Sequence, residues 1–178
     1  MTPRLAQWNA LAPADATAEV IACCGSRKWA SEMAARRPFP NFAQLCEAAD
    51  EIWWALAPAD WLEAFAAHPK IGERAATGSE SARRWSAQEQ AAAAGDAASE
   101  EVAARLAEAN RAYHEKFGHI FIVDASGKTK AEILAILAQR LQNEPQRELR
   151  EAAEQQRRIA RRRLEKLFAG DASETKSS

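Results

Sequence analysis

The sequence predicts an all-α protein: a single-domain, compact helical bundle of about seven to nine helices with one short extended connector. Two observations carry that expectation. Alanine is abundant, and Leu, Glu, Arg and Gln add further helix-favouring residues, while β-branched residues are scarce. Apolar residues recur at helical spacing through most segments. A chain of 178 residues, 47% hydrophobic and 28% charged, fits one globular domain.

The elements follow in order. Leu5 to Leu11 reads as a short lead-in. Pro13, with Asp15 nearby, can open a helix that runs through Val20 and Ile21 and stops at Gly25. Ser26 can cap the next, which must end before Pro38 because the residue preceding proline is pushed out of helical geometry. Asn41 can cap a third, whose positions Phe42, Leu45, Cys46, Ala49, Ile52, Trp53 and Leu56 keep helical spacing. A short helix near Ala59 to Ala66 carries Trp61, Leu62 and Phe65 and runs into His68-Pro69. Lys70 to Ser81 is loop by its Gly, Ser and Thr content. Ser86-x-x-Glu89 is a capping-box pattern that starts a helix, and Ala91 to Gly95 closes or bends it.

A long helix is expected from about Ser99 to Lys116, with Gly118 as a left-handed stop. Ile120-Phe121-Ile122-Val123 looks extended but stands alone, and a sheet needs partners, so it reads as an apolar connector. After a turn at Asp124 to Lys128, Thr129 can cap a helix over Lys130 to Gln142. Asn143-Glu144-Pro145 breaks the chain, and the last helix spans about Gln146 to Phe168. The domain is therefore drawn as residues 1–169, with 170–178 as a small, polar tail expected to be disordered.

Several function classes fall away. A net charge of −1 gives no global field to attract nucleic acid or a membrane surface. The arginines of the last helix are interleaved with Glu148, Glu151, Glu154 and Glu165 and have no aromatic platform beside them, which argues against nucleic-acid binding. No apolar run has the length of a membrane helix. Cys23, Cys24 and Cys46 show no metal-ligand spacing and read as buried reduced thiols. No secretory leader is recognisable, so the cytoplasm is the expected location.

Candidate functional residues are polar groups at positions the pattern reserves for apolar ones. In the last helix, Leu149, Ala153, Gln156, Ile159, Ala160, Arg163, Leu164 and Leu167 share a face. Arg163 sits inside that stripe, and a buried guanidinium is costly without an anion. It either pairs with an internal carboxylate or faces an anionic ligand. Arg157, Arg158, Arg161 and Arg162 point elsewhere and read as solvated. Arg140 falls likewise among Ile133, Leu134, Leu137 and Leu141, and an ion pair between helices or subunits is its commoner reading. His68 lies at a helix C-terminus, which favours the imidazolium, while burial opposes it. That opposition suits a group exchanging protons near neutral pH, although a His-Pro at a helix end is more often structural. Closing its capping box is the commoner reading of Glu89 from the residues alone. His114 is expected to be exposed, and His119 to belong to the Gly118 turn.

These residues resemble a known family. Phe65-x-x-His68-Pro69-Lys70-Ile71-Gly72 is similar to the signature of 2-oxo-4-hydroxy-4-carboxy-5-ureidoimidazoline (OHCU) decarboxylases. Other segments fit in the same order: Arg36-Arg37-Pro38-Phe39; Trp85-Ser86-x-x-Glu89-Gln90; Ala109-Asn110-x-x-Tyr113-x-x-x-Phe117-Gly118-x-x-Phe121-Ile122; and Arg140-Leu141-x-Asn143 followed by Glu148-Leu149 and Ile159-x-x-x-Arg163-Leu164. The match runs from about Leu11 to Leu167, with a low-information Ala91 to Gly95 linker as its one departure. The resemblance implies an all-helical, cofactor-free and metal-free enzyme, a homodimer, acting on a small ureidoimidazoline and releasing (S)-allantoin and CO₂. It implies His68 and Glu89 as catalytic residues. It implies substrate contacts from Pro69, Ser86, Gln90, the main chain around Ile120 and Ile122, and Arg163. Two rival readings are a related ureide lyase with another substrate and a non-catalytic helical interaction module.

Overall fold

The computed structural model describes residues 2–68 and 100–168. The expected loop from Lys70, the Ser86–Glu89 helix start with its alanine-run end, and the tail beyond Gly170 lie outside the described residues. Among those described there are eight helices and no strand. They are α1 (Pro3–Ala10), α2 (Pro13–Cys24), α3 (Arg27–Ala35), α4 (Phe42–Ala55), α5 (Pro58–Ala66), α6 (Glu100–Phe117), α7 (Lys130–Arg140) and α8 (Pro145–Phe168). The all-α expectation and the helix count hold. Two compact units divide the chain: Met1–Trp61 with Arg157–Ser178, and Leu62–Gln156.

The first unit holds α1 to α4, the start of α5 and the end of α8. The expected lead-in is itself a helix, α1. Thr2 caps it, its hydroxyl accepting from Leu5 N at 3.3 Å, and Pro3 occupies the first turn, where its missing N–H costs nothing. The other caps follow the sequence. Gly25 ends α2 with φ 89°, Ser26 accepts from Trp29 N, and Asn41 accepts from Gln44 N. Buried indoles find main-chain acceptors: Trp8 donates to Ala16 O at 3.1 Å, Trp29 to Ala49 O at 3.0 Å, and Trp61 to Trp53 O at 2.9 Å. Trp8 stacks on Phe39 and meets Phe168 edge-on, and Thr2 Oγ1 donates to Phe168 O at 2.8 Å, joining the start of α1 to the end of α8. Arg37 gathers the carbonyls of Trp8 at 2.6 Å and Leu11 at 2.9 Å at the C-terminal end of α1. The Arg37–Pro38 peptide is cis.

The second unit is built on α6, α7 and the first half of α8 around a core of Leu106, Tyr113, Phe121, Val123, Ile133 and Leu137. Gly118 ends α6 with φ 75°, and its N–H reaches His114 O at 2.8 Å. Residues 120–125 form no strand, which fits the reading of a lone apolar connector. Thr129 and Glu132 complete a capping box for α7. The hydrogen bonds from Thr129 hold the Glu132 carboxyl below its ordinary value. The break at Asn143-Glu144-Pro145 starts α8 at the proline itself.

Candidate active site

The expected site residues fall in both units. His68, Ile120 and Ile122 belong to Leu62–Gln156, and Arg163 belongs to the other unit. Pro69, Ser86, Glu89 and Gln90 lie outside the described residues.

The α5 helix ends in tightened turns, with Ala67 N bonded to Ala64 O at 3.3 Å and His68 N to Phe65 O at 3.0 Å. This places a half-buried His68 just past the helix end, as the His-Pro pair required. One turn earlier, the buried Phe65 ring lies 5.3 Å from the ring of His119. His119 therefore does more than follow the Gly118 turn. Its imidazole is buried among Phe65, Tyr113 and Phe117. Its Nδ1 lies 3.0 Å from Ile120 O. A carbonyl only accepts, so this nitrogen carries the hydrogen and Nε2 holds the lone pair. Burial lowers its pKa; the Ile120 bond and the Glu148 charge oppose that, and the Arg140 and His114 charges reinforce it.

From His119 the chain enters the connector, where Phe121, Ile122 and Val123 are buried. Side chains hold its main chain at successive points. Arg140 Nη1 donates to Ile122 O at 2.6 Å, Asp124 N donates to Gln155 Oε1 at 3.0 Å, and Lys128 Nζ donates to Asp124 O at 2.8 Å.

Arg140 meets the carboxylate that its place in an apolar stripe demanded. Its Nε and Nη2 donate to Glu148 Oε1 at 2.8 and 2.5 Å. Tyr113 also donates to Glu148 Oε1, and Asn143 Nδ2 donates to Oε2 at 2.7 Å. The guanidinium carbon lies 4.7 Å from the centre of the Phe121 ring. Burial pushes the Tyr113 hydroxyl pKa up, Arg140 opposes that, and Glu148 adds to it. The expected ion pair is thus one between helices, α7 to α8. Its acidic partner was not singled out from sequence. Glu148 lies beside Leu149, on the flank of the stripe, and its i+4 neighbour Ala152 is fully buried. A stripe recentred on Glu148, Ala152, Gln156 and Arg163 finds it.

In the other unit Arg163 is 3% exposed, and its Nη1 donates to Ala22 O at 3.4 Å near the C-terminal end of α2. A guanidinium there faces the negative end of the helix dipole. Cys23 lies close enough that Arg163 partly offsets the burial that raises its thiol pKa. Arg158, Arg161 and Arg162 are exposed, as expected. Arg157 differs, because its Nη1 bonds Asp50 Oδ2 at 2.7 Å. Among the described residues no group of three or more His, Cys, Asp or Glu could hold a metal ion, and no helix is long and apolar enough to cross a membrane.

The family model described as OHCU decarboxylase matches residues 9–165. The chain belongs to the OHCU decarboxylase family. It is 42% identical over 162 residues to the uric acid degradation bifunctional protein TTL of Arabidopsis thaliana, which covers 88% of this chain and 49% of that protein. It is 40% identical over 74 residues, 42% of each chain, to a 2-oxo-4-hydroxy-4-carboxy-5-ureidoimidazoline decarboxylase of Amia calva. The chain spans about half the length of the first of these relatives. A crystal structure of OHCU decarboxylase in the presence of (S)-allantoin superposes with a TM-score of 0.74 at 38% identity, covering 85% of this chain and 97% of that one. A crystal structure of (S)-allantoin synthase shares the fold at a TM-score of 0.68 and 22% identity.

Proposed function

We propose that this protein decarboxylates 2-oxo-4-hydroxy-4-carboxy-5-ureidoimidazoline to (S)-allantoin and CO₂. The observation that carries this reading is the likeness to an OHCU decarboxylase crystallised with (S)-allantoin, which this chain matches over 97% of that chain's length at 38% identity.

The substrate supplies its own electron sink. Its carboxylate and hydroxyl share one ring carbon, next to a C=N bond. When the C–C bond to the carboxylate breaks, its electron pair shifts into the ring as a new C=C bond, and the imine nitrogen takes the displaced pair and a proton. The resulting enol then loses its hydroxyl proton and gains one at the neighbouring carbon, which becomes the stereocentre.

In this reading His68 exchanges a proton with the hydroxyl or a ring position. Glu89 hydrogen-bonds the ureido or ring N–H groups, or His68 itself. Arg163 pairs with an anionic part of the substrate and orients it. Pro69, Ser86, Gln90 and the main chain of Ile120 and Ile122 hold the ring edges. A neutral imidazole at His119, beside the connector, adds no positive charge there. Buried thiols at Cys23, Cys24 and Cys46 fit a reducing compartment such as the cytoplasm, and the family resemblance implies a homodimer.

The test generates the labile substrate in situ from urate, using uricase and the hydrolase that follows it, and records the optical activity of the allantoin formed. Rapid appearance of one enantiomer, reduced to the buffer rate by His68→Asn in a protein that still folds, is the expected outcome. Racemic allantoin at the buffer rate with the unaltered protein would refute the activity, and full turnover by His68→Asn would refute the role of His68.

A further inference from the structure

We propose that the buried Arg140–Glu148 cluster is a positioning device for the substrate edge, acting through the Ile122 carbonyl. The inference rests on the decarboxylase reading above and adds a role to residues that reading leaves unused.

The cluster is more than a structural ion pair needs. Arg140 and Glu148 are 5% and 0% exposed, and Tyr113 beside them is fully buried. A buried pair is weak as a source of stability, since desolvation consumes most of the attraction. This one instead divides its donors. Nε and Nη2 are committed to Glu148 Oε1, and that fixes the plane of the guanidinium. That sets where the remaining terminal nitrogen, Nη1, lies, and there it donates to Ile122 O at 2.6 Å. Tyr113 and Asn143 hold the carboxylate from other sides, so it cannot swing away from the arginine.

What the device holds lies next to the candidate catalytic turn. Phe65, three residues before His68, lies against His119, and His119 bonds Ile120 O. The connector is therefore fixed at Ile120 by the imidazole that touches the α5 end, and at Ile122 by Arg140. Both carbonyls are set by side chains, so the peptide planes that carry them are set too. A preset main-chain edge recognises a flat ring of alternating N–H and C=O groups, as in a ureidoimidazoline, with little ordering cost on binding.

Arg140→Lys sharpens the question. A lysine keeps the charge near Glu148, but one ammonium cannot reproduce the planar fork that serves Glu148 and Ile122 together. The expected result is a folded protein whose KM for the substrate and Kd for (S)-allantoin both rise by about tenfold, the worth of one charged hydrogen bond. The kcat should change far less, because the main-chain edge that Arg140 holds binds substrate and transition state alike. The double variant Arg140→Met/Glu148→Met is the control. Its melting temperature should recover relative to Glu148→Met alone, while its KM and Kd stay raised. A folded Arg140→Lys protein with wild-type KM and Kd, or a double variant that regains both, overturns the positioning role while leaving the decarboxylase reading intact. Failure of both variants to fold assigns the cluster to stability and overturns it as well. If the unaltered protein neither speeds (S)-allantoin formation nor binds it, the decarboxylase reading itself fails.

Discussion

Arg140 and Arg163 give the same signal in sequence: a guanidinium inside an apolar helical stripe. Both are buried, at 5% and 3% exposure, yet their surroundings differ. Arg140 meets the full charge of Glu148, which in turn is held by Tyr113 and Asn143. Arg163 Nη1 donates to the Ala22 carbonyl near the end of α2. Burial alone does not separate a structural arginine from a ligand-binding one; what each loses on substitution does. A carboxylate neutralises the cation and fixes its geometry. A helix C-terminus also favours and orients a cation.

Two substitutions test that contrast, and the larger effect belongs to Glu148. Glu148→Ala leaves the Arg140 charge buried without its carboxylate, which costs about 3–5 kcal/mol. For a chain of this size that is a fall in melting temperature of roughly 6–20 °C. A thermal melt within a degree or two of the unaltered protein would show that the cluster is solvated or dispensable. Arg163→Met is expected to act on function instead. Loss of one charged hydrogen bond to the substrate, about 1.5–3 kcal/mol, lowers kcat/KM by roughly ten- to a hundredfold. Its melting temperature should fall less than that of Glu148→Ala. Were Arg163→Met as destabilised as Glu148→Ala, with kcat/KM unchanged, the two arginines would have to exchange roles.

Much of this was legible in the sequence because the signals were local. Ser26, Asn41 and Thr129 cap helices where short-range rules put them, and Gly25 and Gly118 take the left-handed conformation that stops a helix. His68 lies just past the end of α5 because Pro69 follows it. The few apolar residues of α1 mark only a lead-in by periodicity although Thr2-Pro3 carries a start signal; burial of Leu5 and Trp8 supplies the rest. Glu148 was missed as a partner for a different reason. A stripe drawn through Leu149 puts its neighbour at the edge, and only the side chains of Arg140, Tyr113 and Asn143 that bond Glu148 show what that edge meets. The environment of His119 is completed by a ring distant in sequence, that of Phe65, which local spacing does not show. Periodicity reports which face is buried but not what polar group waits on the other side.

The smallest effect concerns that histidine, and asks whether the absence of net charge around Arg140 and Glu148 extends to the imidazole beside them. Burial holds the His119 pKa below its ordinary 6.5, with the Arg140 and His114 charges acting in the same direction and Glu148 and the Ile120 bond against it. The unfolded chain takes up this proton near pH 6.5, whereas the folded protein takes it up only at lower pH. The stability this represents is therefore fully present above about pH 6.5 and declines as pH falls from there towards the folded value. His119→Phe keeps the ring among Phe65, Tyr113 and Phe117 and removes the proton. Melting temperatures at pH 7.5 and 5.5 should accordingly differ more for the unaltered protein than for the variant. Equal differences would mean that His119 titrates normally in the folded protein, and that water reaches this side of the Arg140 cluster.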